Sequence, residues 1–284
     1  MMSSESTGQD RHWRRSLAVV VIVTLLLFVF TLPGLAITHG EPDGNDHPNV
    51  GSIVIDVPDM GLFQWCSGTL IADDVFLTAS HCTAPLDGVL ADFPGAEVLV
   101  TFDPTISESG TFFTGVWHTN PNYNGFQGPG GASDPGDVAV IVLDDAPGIA
   151  PARLPTGRLL DDLKDAKILK DTRFTAVGYG TVRDSNRTGF QGILDNLDRN
   201  QVEQGFNSLT KAWLSLPMTP SNGNGGTCYG DSGGPHFIHL DGQETDIVVS
   251  ITVTGDAPCK ATDKTYRMDT TSARSFLDDY VTLP

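Results

Sequence analysis

Beyond residue 36 the chain alternates short apolar runs with clusters of Gly, Pro, Asn and Asp, the pattern of strands joined by tight turns. Strands are predicted at 50–57, 65–71, 75–79, 96–102 and 112–118. The run 138–143 is apolar throughout, as in a strand covered on both faces. Strand text resumes at 174–180 and returns at 211–216, 236–240 and 246–254. Residues 120–136 are so rich in Pro, Gly, Asn and Asp that no regular element is expected there. The charged stretch 158–170 reads as a short helix or a connector. A terminal helix is predicted over 272–280, with Ser272 as its cap and Phe276, Leu277, Tyr280 and Val281 on one side. No internal repeat is evident, and the whole predicts an all-β protein of barrels or sandwiches.

The first 36 residues break this pattern. Arg11, Arg14 and Arg15 form a positive patch, residues 17–30 run almost without a polar side chain, and small residues Gly34 and Ala36 follow. That order is the one of an export signal cleaved after Ala36. The same stretch is just long enough to span a bilayer, so an uncleaved anchor is the alternative. Cleavage leaves about 248 of 284 residues, enough for one large all-β domain or two small ones.

Charge and cysteine content narrow the function. The formal net charge is −18, which argues against nucleic acid or an anionic membrane as partner. Four cysteines in an exported chain most simply form two disulfides, for which three pairings exist. Pairing in sequence order, Cys66 with Cys82 and Cys228 with Cys259, gives two local loops. Each such bridge stabilises by about 3–4 kcal/mol in the chain-entropy account. The seven His are scattered and no close Cys-x-x-Cys pair occurs, so neither a metal nor a cofactor is expected.

Candidate chemistry centres on Ser232, in Gly230-Asp231-Ser232-Gly233-Gly234-Pro235. A serine hydroxyl is a weak nucleophile that needs a base for its proton and donors for the oxyanion it creates. His81, beside Cys82, is the candidate base. Asp137, at the mouth of the apolar run, is the candidate acid that orients the imidazole; Asp134, Asp144 and Asp145 are nearby alternatives.

Three blocks, Thr78-Ala79-Ser80-His81-Cys82, Asp137-Val138-Ala139-Val140 and Gly230-Asp231-Ser232-Gly233-Gly234-Pro235, together resemble the signature of the chymotrypsin/trypsin-like serine proteases, in that family's order. The cysteine pairs fit the resemblance, as do the runs 65–71 and 176–180. The resemblance extends from about residue 37 to the end. It implies two six-stranded antiparallel β-barrels with a C-terminal helix, the first over 37–157 and the second over 158–284, and a secreted, monomeric endopeptidase acting on protein or peptide substrates. It further implies oxyanion donors at Gly230 and Ser232, and a freed N-terminus at Ile37 inserted beside Asp231. Thr38-His39 departs from the family's usual Val-Gly. The substrate pocket would have Gly226 at its base and Ser250, Thr252 and Lys264 on its walls. With no acid at Gly226, cleavage after Arg or Lys is not expected. Thr252 narrows the pocket, and Lys264 either reaches inward to favour an acidic side chain or extends to solvent. A binding module on the same fold, or an esterase with the same three residues, would differ in labelling by a fluorophosphonate or in activity on proteins.

Overall fold

The computed structural model describes residues 39–125, 133–181 and 197–284. Its strands form two curled antiparallel sheets. The described chain opens with a two-residue strand, β1 (Glu41–Pro42). The first sheet contains β2 (Val50–Val57), β3 (Gly61–Leu70), β4 (Val75–Thr78), β5 (Glu97–Thr101), β6 (Gly115–Thr119) and β7 (Ala139–Leu143), in the order β5-β2-β3-β4-β7-β6. Two short helices, α1 (Ser80–Thr83) and α2 (Leu86–Asp92), follow β4. Helix α3 (Leu159–Asp165) leads into the second sheet.

That sheet contains β8 (Arg173–Gly178), β9 (Asn200–Gly205), β10 (Ser208–Leu209), β11 (Trp213–Pro217), β12 (Pro235–Leu240), β13 (Gln243–Gly255) and β14 (Thr262–Arg267), with β1 at one edge: β1-β9-β8-β12-β13-β14-β11-β10. Helix α4 (Thr271–Leu277) follows. Among the described residues the first sheet has the six strands expected, whereas the second has eight. The extra two arise because the N-terminal segment pairs with β9, Glu41 opposite Gln201, and because the chain doubles back at Thr210 so that Leu209 pairs with Leu214.

The apolar run 139–143 lies between β4 and β6 and is buried on both faces except at Val142. Phe76, Leu77 and Val140 pack in one core with Phe237, Ile251 and Tyr266, so side chains of both sheets share it. Leu160 and Leu169 of the 158–170 stretch fold onto Phe174, Leu214 and Ile238. Each such buried Leu or Phe contributes about 2 kcal/mol. The terminal helix begins earlier than expected, and Thr270, not Ser272, caps it by accepting the N–H of Ala273. Helix φ/ψ already holds at Thr271, so Ser272 lies inside the helix and its hydroxyl meets the Tyr266 hydroxyl instead.

A buried ionic chain anchors the segment after β1. Arg199 is completely buried and donates from Nε to Asp43 at 2.7 Å and from Nη1 to the carbonyls of Val50 and Phe102, each at 2.9 Å. His47 lies between Asp43 and Glu244, 2.7 Å from the latter, and stacks on Phe237. Burial alone would lower the His47 pKa; its two carboxylate partners outweigh that and push it up to about 9.

Candidate active site

Strand pairing brings His81 and Asp137 together. Thr78 at the end of β4 faces Ala139 at the start of β7. His81 follows the first by three residues and Asp137 precedes the second by two, so both emerge at the same sheet edge. Helix α1 turns the His81 side chain toward Asp137, whose carboxylate accepts from His81 Nδ1 at 2.9 Å and from the His81 backbone N–H at 2.9 Å. Both oxygens of the buried Asp137 are therefore engaged by one residue, which fixes the imidazole ring and its tautomer. Ser80 Oγ donates to the Val138 carbonyl at 2.7 Å, and Trp65 Nε1 donates to the Cys82 carbonyl at 2.8 Å. The disulfide Cys66–Cys82 ties the same turn to β3. Its sulfurs lie near a His81 nitrogen, but joined to each other they offer no thiolate to a metal.

The three alternative acids stand elsewhere. Asp134 accepts from the Tyr266 hydroxyl at 2.7 Å, Asp144 accepts from Thr114 at 2.6 Å, and Asp145 is exposed.

Ser232 sits in a loop fixed on three sides. Its carbonyl accepts from the Ser67 N–H at 2.8 Å, Gly233 N–H donates to Thr252 at 2.8 Å, and Thr252 N–H donates back to Gly234 at 2.9 Å. Gly233 has φ +80, and a Cβ there would collide with Thr78 Oγ1 and the Ser67 carbonyl, so the second glycine of the motif is required by both conformation and space. The disulfide Cys228–Cys259 closes the loop's approach. Among the described residues, the N–H groups of Asp231, Gly233 and Gly234 donate to backbone carbonyls, whereas those of Gly230 and Ser232 have no acceptor in the protein.

Asp231 points the other way. Its carboxylate is completely buried and accepts the N–H groups of Gly180, at 2.7 Å, and Cys228, at 2.8 Å. Burial raises its pKa to about 7 against the pull of those two N–H bonds, with Asp263 raising it further. Among the described residues it forms no ion pair. Ile37 lies outside the described residues, as does the whole segment 1–36.

His81 and Ser232 both line a cavity of about 420 Å³, bounded by residues 227–229 on one side and 252–257 on the other, with Cys259 and Thr262. Of the pocket residues expected, Thr252 lines it; Gly226, Ser250 and Lys264 do not. Ser250 is buried and accepts from Thr265 at 2.8 Å, and Lys264 is partly exposed on β14. Gly226 is backed by Met218, whose side chain occupies the space a Cβ at 226 would enter. The one carboxylate on the lining, Asp256, is held by the N–H groups of Lys260, Ala261 and Thr262 at 3.0, 2.8 and 2.7 Å. Burial opposes its ionisation, but those donors keep its pKa below the usual carboxylate value. Met218 carried no signal in the sequence, because only tertiary packing brings it against Gly226.

The model of the trypsin family matches residues 39–276. The chain belongs to the trypsin family. A curated trypsin of Saccharopolyspora erythraea is 29% identical over 213 residues, covering 70% of this chain and 81% of that protein. A solved structure of HL collagenase overlays with a TM-score of 0.57 at 18% identity, covering 87% of this chain and 95% of that one. This second likeness bears on the fold alone, which is chymotrypsin-like. Among the described residues no helix is long and apolar enough to cross a membrane.

Proposed function

We propose that this trypsin-family chain is a serine endopeptidase in which Ser232 is the nucleophile, His81 the general base and Asp137 the orienting acid. The observation that carries this reading is the two-bond clasp of Asp137 on His81 beside the cavity that Ser232 also lines. His81 Nε2 takes the Ser232 proton as Oγ attacks a peptide carbonyl. The oxyanion is held by the N–H groups of Gly230 and Ser232, which have no acceptor among the described residues. His81 then passes the proton to the leaving amine, and water hydrolyses the acyl-enzyme. Fluorophosphonate labelling tests this: the intact protein labels at Ser232 and Ser232→Ala does not. Labelling that survives the substitution sinks the assignment.

The preferred residue before the cleaved bond is uncharged and apolar. Position 226 carries no carboxylate to receive a basic side chain, and Asp256 on the lining, kept ionised by three backbone donors that occupy its oxygens, disfavours an acidic one. A peptide-library profile with strong cleavage after Arg, Lys, Asp or Glu would refute this preference.

The chain is exported, and cleavage after Ala36 both removes the signal and frees Ile37. Its ammonium then pairs with Asp231, whose buried carboxylate has no counter-charge among the described residues. N-terminal sequencing of the secreted, monomeric protein gives Ile37 as its first residue; any other start separates export from activation.

A further inference from the structure

We propose that Gln64 and Ser67, both on β3, are positioning residues that set the oxyanion donors at Gly230 and Ser232; this rests on the proteolytic reading above. Gly230 has φ +95, a conformation in which glycine retains wide freedom to rotate its flanking peptides. An oxyanion site needs those peptides held still before the substrate arrives. Four hydrogen bonds do so. The Tyr229 carbonyl accepts from the Thr181 N–H at 2.7 Å. In a trans peptide the N–H points opposite to the C=O, so this bond also aims the Gly230 N–H. The Gly230 carbonyl then accepts two side-chain donors, Gln64 Nε2 at 2.9 Å and Ser67 Oγ at 3.0 Å. The Ser67 backbone N–H holds the Ser232 carbonyl at 2.8 Å.

The Ser67 hydroxyl is itself oriented. It is completely buried and accepts the Tyr179 N–H at 3.0 Å, so its single proton is directed at Gly230. Gln64 restrains by contact as well as by bonding. A Cβ at position 230 would collide with Gln64 Oε1, so the amide occupies the space beside the Gly230 α-carbon. One strand thus grips the carbonyls on both sides of Asp231, while the Gly230 and Ser232 N–H groups have no acceptor among the described residues.

The test is steady-state hydrolysis of a peptide amide by the secreted enzyme, with active sites counted by titration. Gln64→Leu with Ser67→Ala is expected to lower kcat about 100-fold, the lower end of what complete loss of one donor costs, while KM changes less than about twofold. A peptide aldehyde, whose adduct places an oxyanion in the site, weakens in parallel; the matching peptide alcohol does not. Because Ser67 is buried, the isosteric Gln64→Glu provides a second readout. Its carboxylate repels the Gly230 carbonyl when ionised and donates to it when protonated, so its activity relative to wild type rises as pH falls from 8 to 5. Unchanged kcat in the double variant, or a flat Gln64→Glu ratio, overturns this inference alone. A wild-type protein that neither labels nor cleaves overturns the proteolytic reading and this inference with it.

Discussion

Asp231 makes the uncut chain carry a measurable penalty. Burial holds its folded pKa at about 7, against 3.8 for the ordinary carboxyl. Between those values the folded state keeps a proton that the unfolded chain has released, so stability must fall as pH rises through the window. About three pK units correspond to roughly 4 kcal/mol, all of it present above pH 7. A freed ammonium beside the carboxylate would cancel the penalty by pairing with it. The perturbation is therefore the N-terminus itself: a chain starting at Ile37, and the same chain extended by two residues, both with Ser232→Ala to prevent self-digestion. Urea unfolding from pH 4 to 8 should show the extended form losing about 4 kcal/mol and the Ile37 form losing none of it. Asp231→Asn should flatten the extended form's curve. If it leaves that slope intact, Asp231 is not the titrating group; if both forms share the slope, Ile37 does not reach it.

His47 acts in a different window. Its folded pKa of about 9 means that its stabilisation, roughly 3 kcal/mol, is complete below pH 6.5 and lost as pH climbs through 9, and His47→Gln should remove that alkaline decline in a urea titration run from about pH 6 to 10. Arg199→Met leaves the buried Asp43 with His47 as its one remaining cationic partner among the described residues and should cost about 3–5 kcal/mol, with part regained in Asp43→Leu/Arg199→Met. Met218→Ala should leave a void in the interior beside Gly226 and cost about 2–4 kcal/mol of stability, read from thermal unfolding.

Much of this architecture was legible in the chain itself. The 50–57 strand coincides with β2 because every residue there faces buried surface or pairs with β3 and β5. The three motif blocks were visible because the chemistry demands particular residue types next to particular glycines. Strands β9 (NQVEQG) and β14 (TDKTYR) escaped notice because their buried side chains are polar. Gln204 and Asp263 bond each other and His236 in the interior, so hydropathy carries no sign of burial there. Arg199 was equally silent: only the fold brings Asp43 and the Val50 and Phe102 carbonyls around it. The surroundings of Gly226 and Ser250 were silent for a similar reason. Met218 reaches Gly226 through tertiary packing, while Ser250 turns to Thr265 and away from the cavity.

The central claim is that Ser232, activated by His81, forms the covalent intermediate. The most direct measurement is mass spectrometry of the secreted protein after brief reaction with a fluorophosphonate at pH 8. The adduct should fall on the peptide containing Ser232, and its rate of formation should collapse by several orders of magnitude in His81→Ala, with the disulfides intact. An adduct on any other residue, or a labelling rate unchanged by His81→Ala, would contradict it.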